Sequence, residues 1–151
     1  MYQVAGQGGL CVKIFETSIE IAAPESRIWE VLTKQVQEDP QPFGITRLEG
    51  KMQLGARLKL WSEIDPKRAF SLRVTVFDEP TTMIWKGGMP FGLFTGTRTF
   101  SLAPSPKGSQ FQMREVFDGL LSGMIVKSIP DLSPSFEKFA QELKRKAESN
   151  E

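Results

Sequence analysis

The sequence predicts a single α+β domain, an up-and-down antiparallel sheet of about seven strands followed by one long C-terminal helix. Three observations predict it. Gly96 to Gly119 (GTRTFSLAPSPKGSQFQMREVFDG) holds two alternating runs on either side of a Pro/Gly turn. Earlier alternating runs are joined by short, turn-rich connections. After Gly119 the apolar spacing changes from two to three and four, the helical period. At 151 residues the chain is long enough for one sizeable core and short for two.

In the central hairpin Arg98, Phe100 and Leu102 share one face, with Thr97, Thr99 and Ser101 on the other. Phe111, Met113, Glu115 and Phe117 alternate in the same way with Gln110, Gln112, Arg114 and Val116. A turn centred between Pro106 and Lys107 sets Leu102 opposite Phe111, Phe100 opposite Met113, and Arg98 opposite Glu115. One opposite-charge pair therefore falls on the apolar face.

The remaining elements follow in order. Met1 to Gly9 is Gly-rich and without pattern, and residues 1–11 are expected to form a flexible segment ahead of a domain spanning 12–151. Val12 to Ala22 reads as a strand ending before Pro24, which opens a helix to about Leu32 or Lys34 with Ile28, Trp29, Val31 and Leu32 as its buried stripe. Gln35 to Gln41, closed by Pro40 and Pro42, suits a short second helix before a turn at Gly44. Strands are expected at about Ile45–Gly50, Ala56–Glu63, Ala69–Asp78 and Thr82–Lys86; in the third, Phe70, Leu72, Val74 and Val76 alternate with Ser71, Arg73 and Thr75. Short links at Met52–Gly55, Asp65–Lys67 and Glu79–Thr81 favour antiparallel neighbours. In the last segment Leu132, Phe136, Phe139, Ala140, Leu143 and Ala147 form a stripe that must be buried. Pro130 and Pro134 should break the helix there, with Ser133 as its cap and Pro134 at its first position.

Composition narrows the chemistry. Nineteen basic and eighteen acidic residues give a net charge of +1, so overall charge points to no nucleic-acid partner, although a local cluster could still act. No stretch has the length of apolar sequence a membrane helix needs, and the N-terminus lacks the basic start and apolar core of a signal peptide, so a cytoplasmic location is expected. Cys11 is the one cysteine, which excludes an intrachain disulfide. Histidine is absent, which removes the usual neutral-pH base, every Ser-His-Asp or Cys-His arrangement and the commonest transition-metal ligand. No metal or cofactor is expected.

The run Gly-x-Arg-x-Phe-x-Leu-x-Pro from Gly96, a Gly-containing turn, Met-x-Glu-x-Phe-x-Gly from Met113 and a long terminal helix resemble the polyketide cyclase/dehydrase branch of the START-like (SRPBCC) superfamily. Phe15 to Glu25 with Ile28 to Leu32, and Leu48-Glu49-Gly50 followed by Gly55 to Leu58, match the same pattern, so the resemblance runs from about Val12 onward. It implies a helix-grip fold, in which a curved antiparallel sheet wraps the C-terminal helix around an apolar cavity. It implies little about activity, because one fold hosts many functions. Most members run a longer unbroken helix than Pro130 and Pro134 allow here.

Candidate ligand-lining residues are Leu60, Leu72, Val74, Trp85, Phe91, Arg98, Phe100, Met113, Glu115, Phe117 and Phe136, with Glu115 and Arg98 as the only catalytic candidates. For any one of the apolar residues, plain core is the simpler role. The inward Arg98 and Glu115 argue for a wet or ligand-filled space, since a buried ion pair rarely adds stability over an apolar pair; a structural bridge at the sheet margin is the alternative. Gly87 to Gly96 (GGMPFGLFTG) sets Met89, Phe91, Leu93 and Phe94 in a connection at the same end as Ile64–Lys67 and the segment after Gly119. It reads as an apolar lid, or as a loop folded into the core or into a homodimer contact.

Three functions fit. The first is binding or transport of a small hydrophobic or amphipathic molecule in an internal cavity. The second is a cyclase/dehydrase-like enzyme of lyase or isomerase type, with Glu115 as general base and Arg98 stabilising an enolate. The third is a protein-interaction module working through its outer surface.

Overall fold

The computed structural model describes residues 2–7 and 10–149, with side chains from Lys13 to Ser149. Eight strands form one antiparallel sheet in the order β1-β2-β8-β7-β6-β5-β4-β3. They are β1 (Tyr2–Gln7), β2 (Leu10–Ile21), β3 (Ile45–Glu49), β4 (Arg57–Ser62), β5 (Asp65–Asp78), β6 (Thr82–Met89), β7 (Phe94–Ser105) and β8 (Gly108–Asp118). Helices α1 (Glu25–Glu30) and α2 (Val36–Glu38), joined by a π-helical turn Val31–Gln35, lie between β2 and β3 with a 3-10 turn Gln41–Phe43. Short α3 (Ser122–Ile125) and long α4 (Ser133–Glu148) follow β8.

The sheet has one strand more than the sequence predicts. Met1–Gly9 carries no pattern that predicts an element, yet Tyr2–Gln7 pairs with the start of β2 from Tyr2 opposite Phe15 to Gln7 opposite Leu10. Met1, Gly8 and Gly9, part of the segment expected to be flexible, lie outside the described residues. The link expected at Asp65–Lys67 is instead the start of β5, because Ser62 pairs with Asp65 and the β4–β5 turn is only residues 63–64. The β7–β8 hairpin closes at Ser105 opposite Gly108, which brings Leu102 opposite Phe111, Phe100 opposite Met113 and Arg98 opposite Glu115, as parity requires.

The inward face is read from burial. Phe15, Ile21, Met83, Trp85, Phe100, Leu102, Phe111 and Met113 point to the core and are at most 5% exposed. In β5 the expected alternation fails after Val74. A register shift between Val74 and Val76 inserts one extra residue, so Phe77, opposite Met83, continues the inward face in place of Val76.

Helix α4 lays Phe136, Phe139, Ala140, Leu143 and Ala147 against this face. Phe139 packs on Phe43, Phe100 and Phe111 at centroid distances of 5.3, 5.8 and 6.4 Å. Trp29 of α1 closes the opposite end against Phe77 at 5.2 Å. The break ahead of α4 falls where Pro130 predicts it, but the cap differs: Ser133 is the first helical residue, and its N–H donates to Asp131 Oδ1 at 3.0 Å. Leu132, at the cap position, has no side-chain acceptor, and Asp131 one residue earlier supplies one.

Candidate ligand-binding site

Helix α4 and α1 fill one half of the inward face. Toward the β6–β7 end two transverse rows of residues remain, and they are chemically different. One row runs Val74, Trp85, Arg98, Glu115, Phe15 across β5, β6, β7, β8 and β2; the next runs Leu72, Gly87, Gly96, Phe117, Lys13. Cross-strand neighbours on one face stand about 5 Å apart, so the first row is a continuous strip of side chains, whereas the second is interrupted by Gly87 and Gly96.

Arg98 and Glu115 meet at the centre. Arg98 Nε and Nη2 both donate to Glu115 Oε1, at 3.0 and 2.7 Å. Their side chains are 21% and 10% exposed, so the pair is enclosed without being sealed. The guanidinium lies over the Phe136 ring at 5.0 Å, and Phe136 in turn meets Phe15 at 6.2 Å. Phe15 packs edge-on against Phe117 at 6.3 Å. Charge-assisted bonds and a cation held on an aromatic face fix both rotamers.

Both Arg98 bonds end on the same oxygen. Glu115 Oε2 therefore has no hydrogen-bond partner among the described residues, as an acceptor open to an incoming donor. Beside Arg98, Trp85 is 1% exposed and its Nε1 has no partner either, a state it shares with Trp29 Nε1. Buried polar atoms are normally satisfied, so the unpartnered indole N–H one strand from the Arg98–Glu115 pair is a donor without an acceptor among the described residues.

Two glycines shape the second row. A Cβ on Gly96 would stand 3.1 Å from the Phe117 ring and 3.5 Å from Glu115 Oε2. Its absence lets Phe117 lie against the backbone beside Glu115 and stack on Phe94 at 5.7 Å with planes 9° apart. Gly87 is tighter, since a Cβ there would fall 2.6 Å from the Ser71 carbonyl oxygen. Lys13 ends the row, donating through Nζ to the carbonyls of Val126 and Ile129 at 3.3 and 3.4 Å and so tying the α3–α4 link over the sheet end.

The predicted residues are thus largely brought together. Arg98 and Glu115 form the ion pair, with Trp85, Phe117 and Phe136 about it and Val74 further along the row; Leu72 is half-buried in the second row, and Phe100 and Met113 lie one row deeper in the core. Leu60 is buried further along, on β4 opposite Phe70. Phe91 is the exception: it is 92% exposed at the tip of the β6–β7 turn with φ 61°. The expected ten-residue loop is mostly strand, because β6 runs to Met89 and β7 starts at Phe94, leaving Pro90 to Leu93 as the turn. That turn is pinned to the segment after β8, where the N–H groups of Leu120 and Leu121 donate to Gly92 and Leu93 carbonyls at 3.0 and 2.7 Å. Sequence reasoning missed Phe15, Gly96 and Gly87 as site residues. Parity on β7 extends the inward face one step past Arg98 to Gly96, whereas Phe15 and Gly87 are placed by the β2–β8 and β6–β7 pairings.

A sheet curled about a C-terminal helix with a charged pair on its inward face defines a helix-grip domain of the START-like superfamily. The chain belongs to the polyketide cyclase/dehydrase and lipid transport family, whose model matches residues 13–148. Among solved structures it is similar to protein MLL2253 from Mesorhizobium loti (15% identity, TM-score 0.69, covering 91% of this chain and 98% of that one). It is also similar to truncated norcoclaurine synthase from Thalictrum flavum (16% identity, TM-score 0.67, 93% and 96%). The di-domain ARO/CYC protein BexL aligns at 13% identity and TM-score 0.69 over 93% of this chain and 51% of its own. These likenesses establish the fold. No curated protein matches the sequence. Among the described residues no helix is long and apolar enough to cross a membrane, and no cluster of His, Cys, Asp or Glu could hold a metal.

Proposed function

We propose that this protein binds a small amphipathic molecule on the inward face beside Arg98 and Glu115. The molecule has an apolar body and a head that donates a hydrogen bond. The observation that carries the reading is the open Oε2 of Glu115 on a carboxylate whose other oxygen is occupied by Arg98. An anionic head would meet the carboxylate and be repelled, whereas a hydroxyl or amine would satisfy it. The partly exposed Phe117 ring supplies apolar surface for the body, with Trp85 and Phe136 buried behind it, and burial of such surface provides most of the affinity.

The family and the geometry also support a catalytic reading. A carboxylate with one oxygen held by a guanidinium and the other open is placed to accept a proton, and the same guanidinium could stabilise a developing oxyanion. In both readings the guest occupies the same place.

Native mass spectrometry of the purified protein, compared with the denatured mass, tests the binding reading directly. A co-purifying small molecule is expected. With a hydroxylated polycyclic aromatic as probe, tryptophan fluorescence should be quenched in a saturable way, and Trp85→Phe should remove most of that quenching while Trp61→Phe retains it. No bound mass and no saturable quenching by the probe would overturn the proposal.

A further inference from the structure

The outer face of the sheet carries a second feature, unrelated to the inward site. Arg57 on β4 stands in register with Arg73 on β5, and Arg73 in register with Lys86 on β6. Three cations therefore form one transverse row, with adjacent strands about 4.8 Å apart. The parallel row two residues along contains Lys59 opposite Ser71. Between the two rows runs a groove of about 490 Å³. Leu58 and Leu72 sit between the rows; with side chains turned to the inward face, they leave backbone as the floor.

Like charges directly opposite one another across strands are destabilising, and the row Arg57, Arg73, Lys86 contains no carboxylate. Among the described residues Arg57, Lys59, Arg73 and Lys86 form no salt bridge; Glu49, the carboxylate lining the groove, stands opposite Lys59 but is paired with Arg47. Elsewhere on this face a cation has its partner, as Arg114 has Glu16 at 3.7 Å. The cluster does not reflect a basic protein, since the net charge of the whole chain is +1.

We propose that this groove is a binding site for a small molecule bearing two or more phosphoryl groups. Guanidinium forks match phosphoryl oxygens bidentately, and Lys59 and Lys86 add point charges on the two walls. The volume lies in the range of small-molecule pockets. A polymer track is disfavoured because the cationic row stops on β7, where Thr97 follows Lys86.

The test is calorimetric titration of the full chain with tripolyphosphate at low and high salt. Saturable one-site binding that weakens with salt is expected. Arg73→Gln, at the centre of the row, should weaken it by about tenfold or more, and Lys86→Gln should also weaken it. Arg114→Gln, on the same face, should leave it unchanged. Without ligand, Arg73→Gln should melt at or above the wild-type temperature, because it removes a like-charge contact. Absence of saturable binding, equal losses in Arg73→Gln and Arg114→Gln, or tighter binding of an oligouridylate or of phosphatidic acid vesicles than of tripolyphosphate would each overturn the proposal.

Discussion

Replacing Glu115 with Gln separates a ligand-binding pair from a structural one. The substitution keeps the shape and an Oε1 acceptor for Arg98 but removes the charge, so the bonds of 3.0 and 2.7 Å become neutral-acceptor bonds of about half the strength. Breaking a dry buried pair costs about 3–5 kcal/mol, and an exposed pair contributes about 1 kcal/mol or less. Arg98 keeps 21% of its side chain exposed and retains the Phe136 face at 5.0 Å, so the guanidinium is not stranded. The expected loss lies between these limits, about 1–2 kcal/mol, which for a chain of this size is a fall in Tm of roughly 2–8 °C. Urea unfolding and calorimetry measure it. The hydroxylated aromatic probe should lose about tenfold or more in affinity, since Gln at this position no longer offers a charged acceptor. A loss of about 3 kcal/mol or more with unchanged probe affinity would refute the site and make the pair a structural bridge.

Two further outcomes follow from the same geometry. In hydrogen exchange, the amides of Leu93, Leu120 and Leu121 at the pinned β6–β7 turn should exchange faster than those of Thr97 to Leu102, and should slow when the probe binds; full protection without probe would exclude a gate there. Glu148 at the end of α4 accepts from the Ala22 N–H at 2.8 Å and from Lys144 Nζ at 2.5 Å, and the Lys144 bond and then the Ala22 bond hold its carboxyl below the ordinary 4.5. A lowered folded value means that its stabilisation is complete above about pH 4.5 and is lost as pH falls through the lowered value, so Glu148→Gln should flatten the acid limb of a stability-against-pH curve.

Much of this was legible in the chain because it depends on neighbours in sequence. The β7–β8 register follows from a tight turn at Pro106-Lys107 and a period of two, which together place Arg98 opposite Glu115 without reference to any other strand. The α4 stripe from Phe136 to Ala147 follows from a period of 3.6, and its start follows from Pro130 and Pro134.

What tertiary structure decided depends on strands meeting across longer connections and on irregularities that parity cannot anticipate. The extra residue in β5 moves Phe77 inward in place of Val76, and only pairing with β6 reveals it. The same pairing sets Arg73 between Arg57 and Lys86, three residues far apart in sequence that no local pattern joins. Strand β1 lies in a Gly-rich segment without a period-two pattern, and only its pairing with β2 reveals it. Likewise, the sequence by itself supplies a carboxylate and a guanidinium on one face, but that both Arg98 bonds end on one oxygen, with Phe136 of α4 against the guanidinium, is seen only in the packed fold. Local periodicity determines which way a side chain points; only the packed fold determines what it meets.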